Sequence, residues 1–176
     1  VIGAALPTGK IINALPDLMR QLADDSWIDA AQGIMTTDTL PKAISEQITI
    51  DGNTITITGI AKGSGMIKPD MATMLAFVAT DASIEKSQLQ ARLKRVVDGS
   101  FNSITVDGDT STNDACVLIA TGESNVEISA DCDAFDRGLT RVFQHLAHAV
   151  VRDGEGATKF VEIEVQQAAS IADGRE

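Results

Sequence analysis

Residues 48–60, ITIDGNTITITGI, alternate apolar and polar positions almost strictly on both sides of Asp51-Gly52-Asn53. Period-two alternation broken by an Asp-Gly pair predicts a β-hairpin with a tight glycine turn. Elsewhere the period lengthens. Residues 6–23 carry Ile11, Ile12, Leu15, Leu18, Met19 and Leu22 at helical spacing, with Pro16 inside the run. That proline predicts two short helices or a kinked one. Residues 26–32 predict a second short helix. Gly33-Ile34-Met35 then reads as a strand leading into Thr36-Thr37-Asp38-Thr39.

The second half continues the mixture. Residues 73–80 read as a buried strand. Ser83 is the expected N-cap of a helix over 84–98, which places Leu89, Leu93, Val96 and Val97 on one face and stops at Gly99. Residues 101–106 and 115–121 are strand-like. Residues 133–151 predict a long amphipathic helix, and residues 160–165 alternate as a final strand. Helices and strands intermix, and a hairpin forbids a purely parallel sheet. The expected fold is therefore α/β in the mixed α+β sense, with layered mixed sheets flanked by helices. No repeat or linker divides residues 1–176, so they read as one domain.

Composition narrows the partners. The 176 residues are 44% hydrophobic and 22% charged, with a net charge of −11. That charge argues against nucleic acid or an anionic membrane as partner, because phosphate binding needs clustered Lys and Arg. No apolar run is long enough to cross a bilayer. There is no initiator Met and no signal-peptide pattern at Val1. Cys116 and Cys132 fit no metal-ligand spacing, and reduced thiols in a cytoplasmic protein are the expectation. His145 and His148 stand three apart on a helical stretch with no third ligand nearby, so they read as helix residues and no metal is expected.

The chemistry concentrates in residues 61–77, AKGSGMIKPDMATMLAF. Lys62-Gly63-Ser64-Gly65 running to Pro69 predicts a tight polar loop. Thr73 follows at the mouth of an apolar strand. On residue types alone Thr73 is either a β-branched strand opener or a nucleophile delivered on a glycine-rich loop. Lys62 reads as a loop lysine or as a fixed ammonium for a carboxylate or oxyanion. Thr36 and its neighbours read as helix caps or ligand contacts. Glu155, between Gly154 and Gly156, reads as an exposed turn residue or as a carboxylate free to approach a ligand closely. Residues 107–114, DGDTSTND, carry three aspartates but lack the closing glutamate of a calcium loop.

Four segments resemble one family in one order: MTTDTLPK at 35–42, KGSGMIKPDMATML at 62–75, VDGDTSTND at 106–114 and RDGEGATKF at 152–160. The chain is similar throughout to the ornithine acetyltransferases, the bifunctional glutamate N-acetyltransferases of arginine biosynthesis. It covers less than half of that family's usual length. The resemblance implies a sandwich of two sheets between helical layers. It implies self-cleavage between Ala72 and Thr73, giving an α chain that ends with residues 1–72 and a β chain that starts with residues 73–176. Thr73 becomes the catalytic nucleophile, and its freed α-amino group, with an ordinary pKa of about 7.7–8.0, suits a general base near neutral pH. Thr36, Lys62, Thr73 and Glu155 are the implied substrate-binding residues.

The implied substrates are N-acetylornithine and glutamate, with acetyl-CoA as a further donor in bifunctional members and no resident cofactor. Paired α and β chains imply an α2β2 assembly in the cytoplasm. Two departures stand out. Asp70 occupies the position, three before the threonine, where the family carries Asn. The family's Thr-Gly oxyanion hole and its C-terminal substrate contacts have no counterpart in these residues, which are expected to be incomplete as an enzyme by themselves. The competing reading of the same threonine is an N-terminal-nucleophile amidase or peptidase with water as acceptor. A non-catalytic relative is a third.

Overall fold

The computed structural model describes residues 4–68, 74–111, 113–170 and 173–174. Two helices, α1 (Thr8–Arg20) and α2 (Trp27–Gly33), precede the hairpin of β1 (Lys42–Ile50) and β2 (Asn53–Lys62). Then come β3 (Leu75–Thr80), α3 (Lys86–Asp98), a 3-10 turn (Phe101–Ser103), β4 (Ala115–Ala120) and α4 (Asp133–Arg152). The strands form one mixed sheet in the order β1-β2-β3-β4. The first two pairings are antiparallel, and β3 pairs with β4 in parallel. This is the mixed α+β arrangement expected from the sequence, with one sheet rather than layered sheets among the described residues.

The hairpin turns at Asp51 and Gly52, both at positive φ, with Ile50 opposite Asn53. A two-residue turn of that hand matches strand twist, which is why the Asp-Gly pair sits there. The alternation then does its work. Ile48, Ile50, Ile55 and Ile57 point to one face and are buried against Phe135, Leu139, Val142, Phe143 and Leu146 of α4. The other face carries Ala43, Ser45, Thr56 and Thr58, with Trp27 and Ile28 of α2 beside an open depression. Arg92 fastens α3 to α4: Nε donates to Asp136 at 2.8 Å, and Nη2 donates to the carbonyls of Ser129 and Ala130.

Several local expectations are corrected. α1 runs through Pro16 as one helix rather than two, forgoing the hydrogen bond that the missing N–H would make. Its apolar positions Ile11, Ile12, Leu15, Leu18 and Met19 are exposed, as is Leu22 beyond its end. Gly33 ends α2, and Ile34 and Met35 form no strand. The cap of α3 is Glu85, whose carboxylate accepts from the amides of Ser87 and Gln88, so the helix starts two residues later than Ser83 would have set it. Residues 101–103 form a 3-10 turn, and Val106 N donates to Ile67 O, tying this segment to a loop instead of a ladder. Residues 160–165 belong to no strand, and Val161, Ile163 and Val165 are exposed. Alternation marks a strand only where a neighbour offers hydrogen bonds, and among the described residues none does.

Candidate functional site

β2 ends in the buried Lys62, and the chain leaves the sheet as Gly63-Ser64-Gly65. Two other segments meet this loop. One is the turn that follows α2, carrying Thr36 and Thr37. The other follows α4 and carries Glu155. Together with Asp107 they line a cavity of about 340 Å³. The structure thus brings Thr36, Lys62 and Glu155 to one cavity, although they lie far apart in sequence. Lys62 Nζ is 3.4 Å from Thr36 Oγ1. Thr37 Oγ1 is instead 2.6 Å from the buried Ser64 Oγ, so the two adjacent threonines have separate partners on the same wall. Ala72 and Thr73 lie outside the described residues, as does Asp70.

The walls are joined beneath the cavity. Lys42, the first residue of β1, is 3% exposed. Its ammonium donates to Asp38 Oδ1 and Asp153 Oδ2, each at 2.6 Å, and to Leu40 O at 3.3 Å. Asp38 also accepts from Gly63 N at 2.6 Å and from Thr36 N at 3.2 Å. Asp153 accepts from the amide and the hydroxyl of Thr39. Burial pushes the carboxyl of Asp38 up, but the hydrogen bond from Lys42 and the amides of Gly63 and Thr36 outweigh it and hold the group below its ordinary 3.8. The same balance, with Lys42 and Thr39 as donors, lowers Asp153.

The glycine loop is clamped from its other side. Asp107 accepts from Met66 N at 2.6 Å and Ile67 N at 3.0 Å. Burial raises its carboxyl, yet these amides and that of Asp109 bring it below the ordinary value. Further along, Asp114 Oδ1 accepts from Met74 N at 3.0 Å, while Oδ2 is buried with no hydrogen-bond partner among the described residues. Burial there prevails over the Met74 amide, the charge of Lys62 and the hydroxyl of Ser111, and the Asp114 carboxyl is raised. Asp107 and Asp114 therefore hold backbone amides.

Sequence reasoning missed Asp38, Lys42 and Asp153 as a set. Lys42 lies in a matching segment, but its spacing from Asp38 means little outside a helix, and Asp153 lies more than a hundred residues away. Among the described residues no group of three His, Cys, Asp or Glu side chains is arranged to hold a metal. His148 packs edge-on against Phe160 at 5.3 Å. Cys116 and Cys132 are free, and burial pushes the Cys116 thiol up to about 12. No helix among the described residues is long and apolar enough to cross a membrane.

A mixed sheet whose loops gather hydroxyl, ammonium and carboxylate groups around one cavity is an arrangement that can receive a small charged molecule. Residues 1–176 match the ArgJ family, and the chain belongs to it. It is 54% identical over 179 aligned residues to the arginine biosynthesis bifunctional protein ArgJ of Methylococcus capsulatus, covering 99% of this chain and 44% of that protein. It is 52% identical over 170 residues to the protein of the same name from Pseudomonas syringae, covering 94% of this chain and 42% of that one. The crystal structure of ArgJ from Bacillus halodurans is 41% identical, with a TM-score of 0.43 over 45% of this chain and 39% of that one. The chain thus spans less than half the length of the curated relatives it matches.

Proposed function

We propose that these residues, within a protein of their relatives' full length, transfer an acetyl group from N-acetylornithine to glutamate through an acetyl-threonine at Thr73. The observation that carries the reading is the convergence of Thr36, Lys62 and Glu155 on one cavity beside the loop that leads toward Thr73. Both substrates are amino acids bearing positive and negative groups. Lys62 offers an ammonium to a carboxylate, Glu155 a carboxylate to an amino group, and Thr36 a hydroxyl to either.

Maturation comes first in this scheme. Thr73 Oγ attacks the Ala72 carbonyl, the Ala72–Thr73 C–N bond breaks, and the proton leaving the hydroxyl passes to the new amine. Water opens the resulting ester, leaving a carboxylate on Ala72 and a free hydroxyl on Thr73. In turnover, that hydroxyl attacks the acetyl carbon of N-acetylornithine and ornithine departs with the proton. The amine of glutamate then attacks the ester, and N-acetylglutamate leaves as the Thr73 hydroxyl is restored. Acetyl-CoA loads the same threonine as a second donor. Two α and two β chains form the working assembly in the cytoplasm.

The test pairs intact mass and N-terminal sequencing with an acetyl-transfer assay on the full-length protein and its Thr73→Ala variant. The expected result is two chains, one starting Thr-Met-Leu-Ala-Phe, and glutamate-dependent release of ornithine, both lost in the variant. Acetyl released to water at a rate indifferent to glutamate would replace the transferase with an amidase.

A further inference from the structure

The ammonium of Lys42 ties together three segments that carry cavity-lining residues. All three of its protons are used, on Asp38, Asp153 and the Leu40 carbonyl. Through Asp38 it reaches the amides of Thr36 and Gly63, hence the threonine turn and the end of β2 next to Lys62. Through Asp153 it reaches the loop that carries Glu155 two residues on, and that loop is fixed again where Glu155 N donates to Ser64 O at 2.7 Å. The side chains of Lys42, Asp38 and Asp153 are 2%, 1% and 8% exposed, so solvent cannot substitute for a missing partner. A buried, hydrogen-bonded charge network has few alternative arrangements, which makes it a means of fixing geometry more than a source of net stability.

We propose that Lys42, with Asp38 and Asp153, is a positioning residue that fixes the threonine turn and Lys62 relative to the loop that carries Glu155. The identity of the molecule received rests on the function proposed above; the positioning does not. Lys42 itself touches no substrate. Its removal frees two carboxylates to repel each other and lets the threonine turn and the Glu155 loop move apart. Misplacing substrate-positioning groups by about 1 Å costs up to about a hundredfold in kcat/KM.

The full-length protein and its Lys42→Met, Lys42→Arg and Asp153→Asn variants separate this from a general loss of stability. Amide hydrogen exchange is followed at residues 36–39, 62–65 and 153–156, and KM and kcat are measured for N-acetylornithine and glutamate well below the melting temperature. Lys42→Met is expected to speed exchange in all three segments together, and by more than in the centre of the sheet, where exchange follows global stability. It is expected to raise both KM values about tenfold or more, with Lys42→Arg restoring part of the effect. Faster exchange confined to residues 36–39, or KM values within twofold of the parent in folded variants, would overturn the proposal. If Lys42→Met does not fold, Asp153→Asn, which keeps two of the three bonds of Lys42, is judged by the same criteria. A parent protein without transfer activity would sink the proposed reaction and leave exchange to decide the positioning.

Discussion

A methyl group on Gly65 would lie 3.2 Å from the carboxylate carbon of Glu155 and 3.4 Å from both its oxygens. The loop after β2 and the loop after α4 thus approach so closely that the missing side chain leaves room for the carboxylate. Gly65 does not have a positive φ, so alanine fits its backbone. Gly65→Ala is therefore expected to leave the melting temperature unchanged or raise it slightly, because restricting the unfolded chain contributes about 0.4–1 kcal/mol. It is expected to displace Glu155 and raise KM for the amino-acid substrates about tenfold, a binding loss of about 1.4 kcal/mol. Calorimetry and steady-state kinetics on one preparation check both halves. A lower melting temperature with unaltered KM would show that Glu155 needs no such space.

The two threonines of the 36–37 turn should separate in the same way. Thr36 faces Lys62 across 3.4 Å, whereas Thr37 pairs with Ser64, a hydroxyl only 2% exposed. Thr37→Val leaves Ser64 without this partner, a loss of about 1–3 kcal/mol that appears in chemical denaturation. Thr36→Val removes a hydroxyl at an exposed position and is expected to change stability by less than about 0.5 kcal/mol while raising KM. The opposite assignment of the two effects would show that substrate reads Thr37.

How much of this was legible in the sequence differs element by element. The hairpin was, because strict alternation and an Asp-Gly turn are local signals that tertiary packing had no reason to override. Residues 160–165 alternate as clearly but lack a pairing neighbour among the described residues, and periodicity cannot report that. Ser83 is a good capping residue, but Glu85 reaches two amides, and residue type alone does not decide between caps two positions apart. For the site, residue types left Thr36, Lys62 and Glu155 ambiguous, and only the family resemblance singled them out. The Lys42 network stayed hidden because it joins residues that are paired by folding rather than by spacing.

Asp114 gives a separate handle on the proposed self-cleavage. Its Oδ1 accepts the amide of Met74, the residue that follows Thr73 in the chain. Asp114→Ala frees that amide and is expected to slow separation of the α and β chains about tenfold, the effect of losing one hydrogen bond of about 1.5 kcal/mol. Asp114→Asn keeps an acceptor oxygen and should separate at close to the parental rate. Denaturing gels over time after expression follow both. Equal slowing by Ala and Asn would mean that the negative charge, not the anchored amide, matters.

The pH dependence of stability should show the sign of the Lys42 network. Asp38 and Asp153 have carboxyls lowered from 3.8 in the folded state. Below 3.8 the unfolded chain takes up protons before the folded one does. The stability these groups contribute is therefore complete above the unfolded value and is lost as pH falls through the lower, folded values. Lys42→Met reverses the balance. Two buried carboxylates without their cation are pushed upward, so the variant is weakest near neutrality and recovers as they protonate. Breaking such a pair costs about 3–5 kcal/mol at pH 7. The gap in unfolding free energy between parent and variant is expected to narrow steadily from pH 7 to pH 4, as measured by urea denaturation at each pH. A gap that stays constant over that range would mean that Lys42 is held there by packing, and that the charges of Asp38 and Asp153 are indifferent to it.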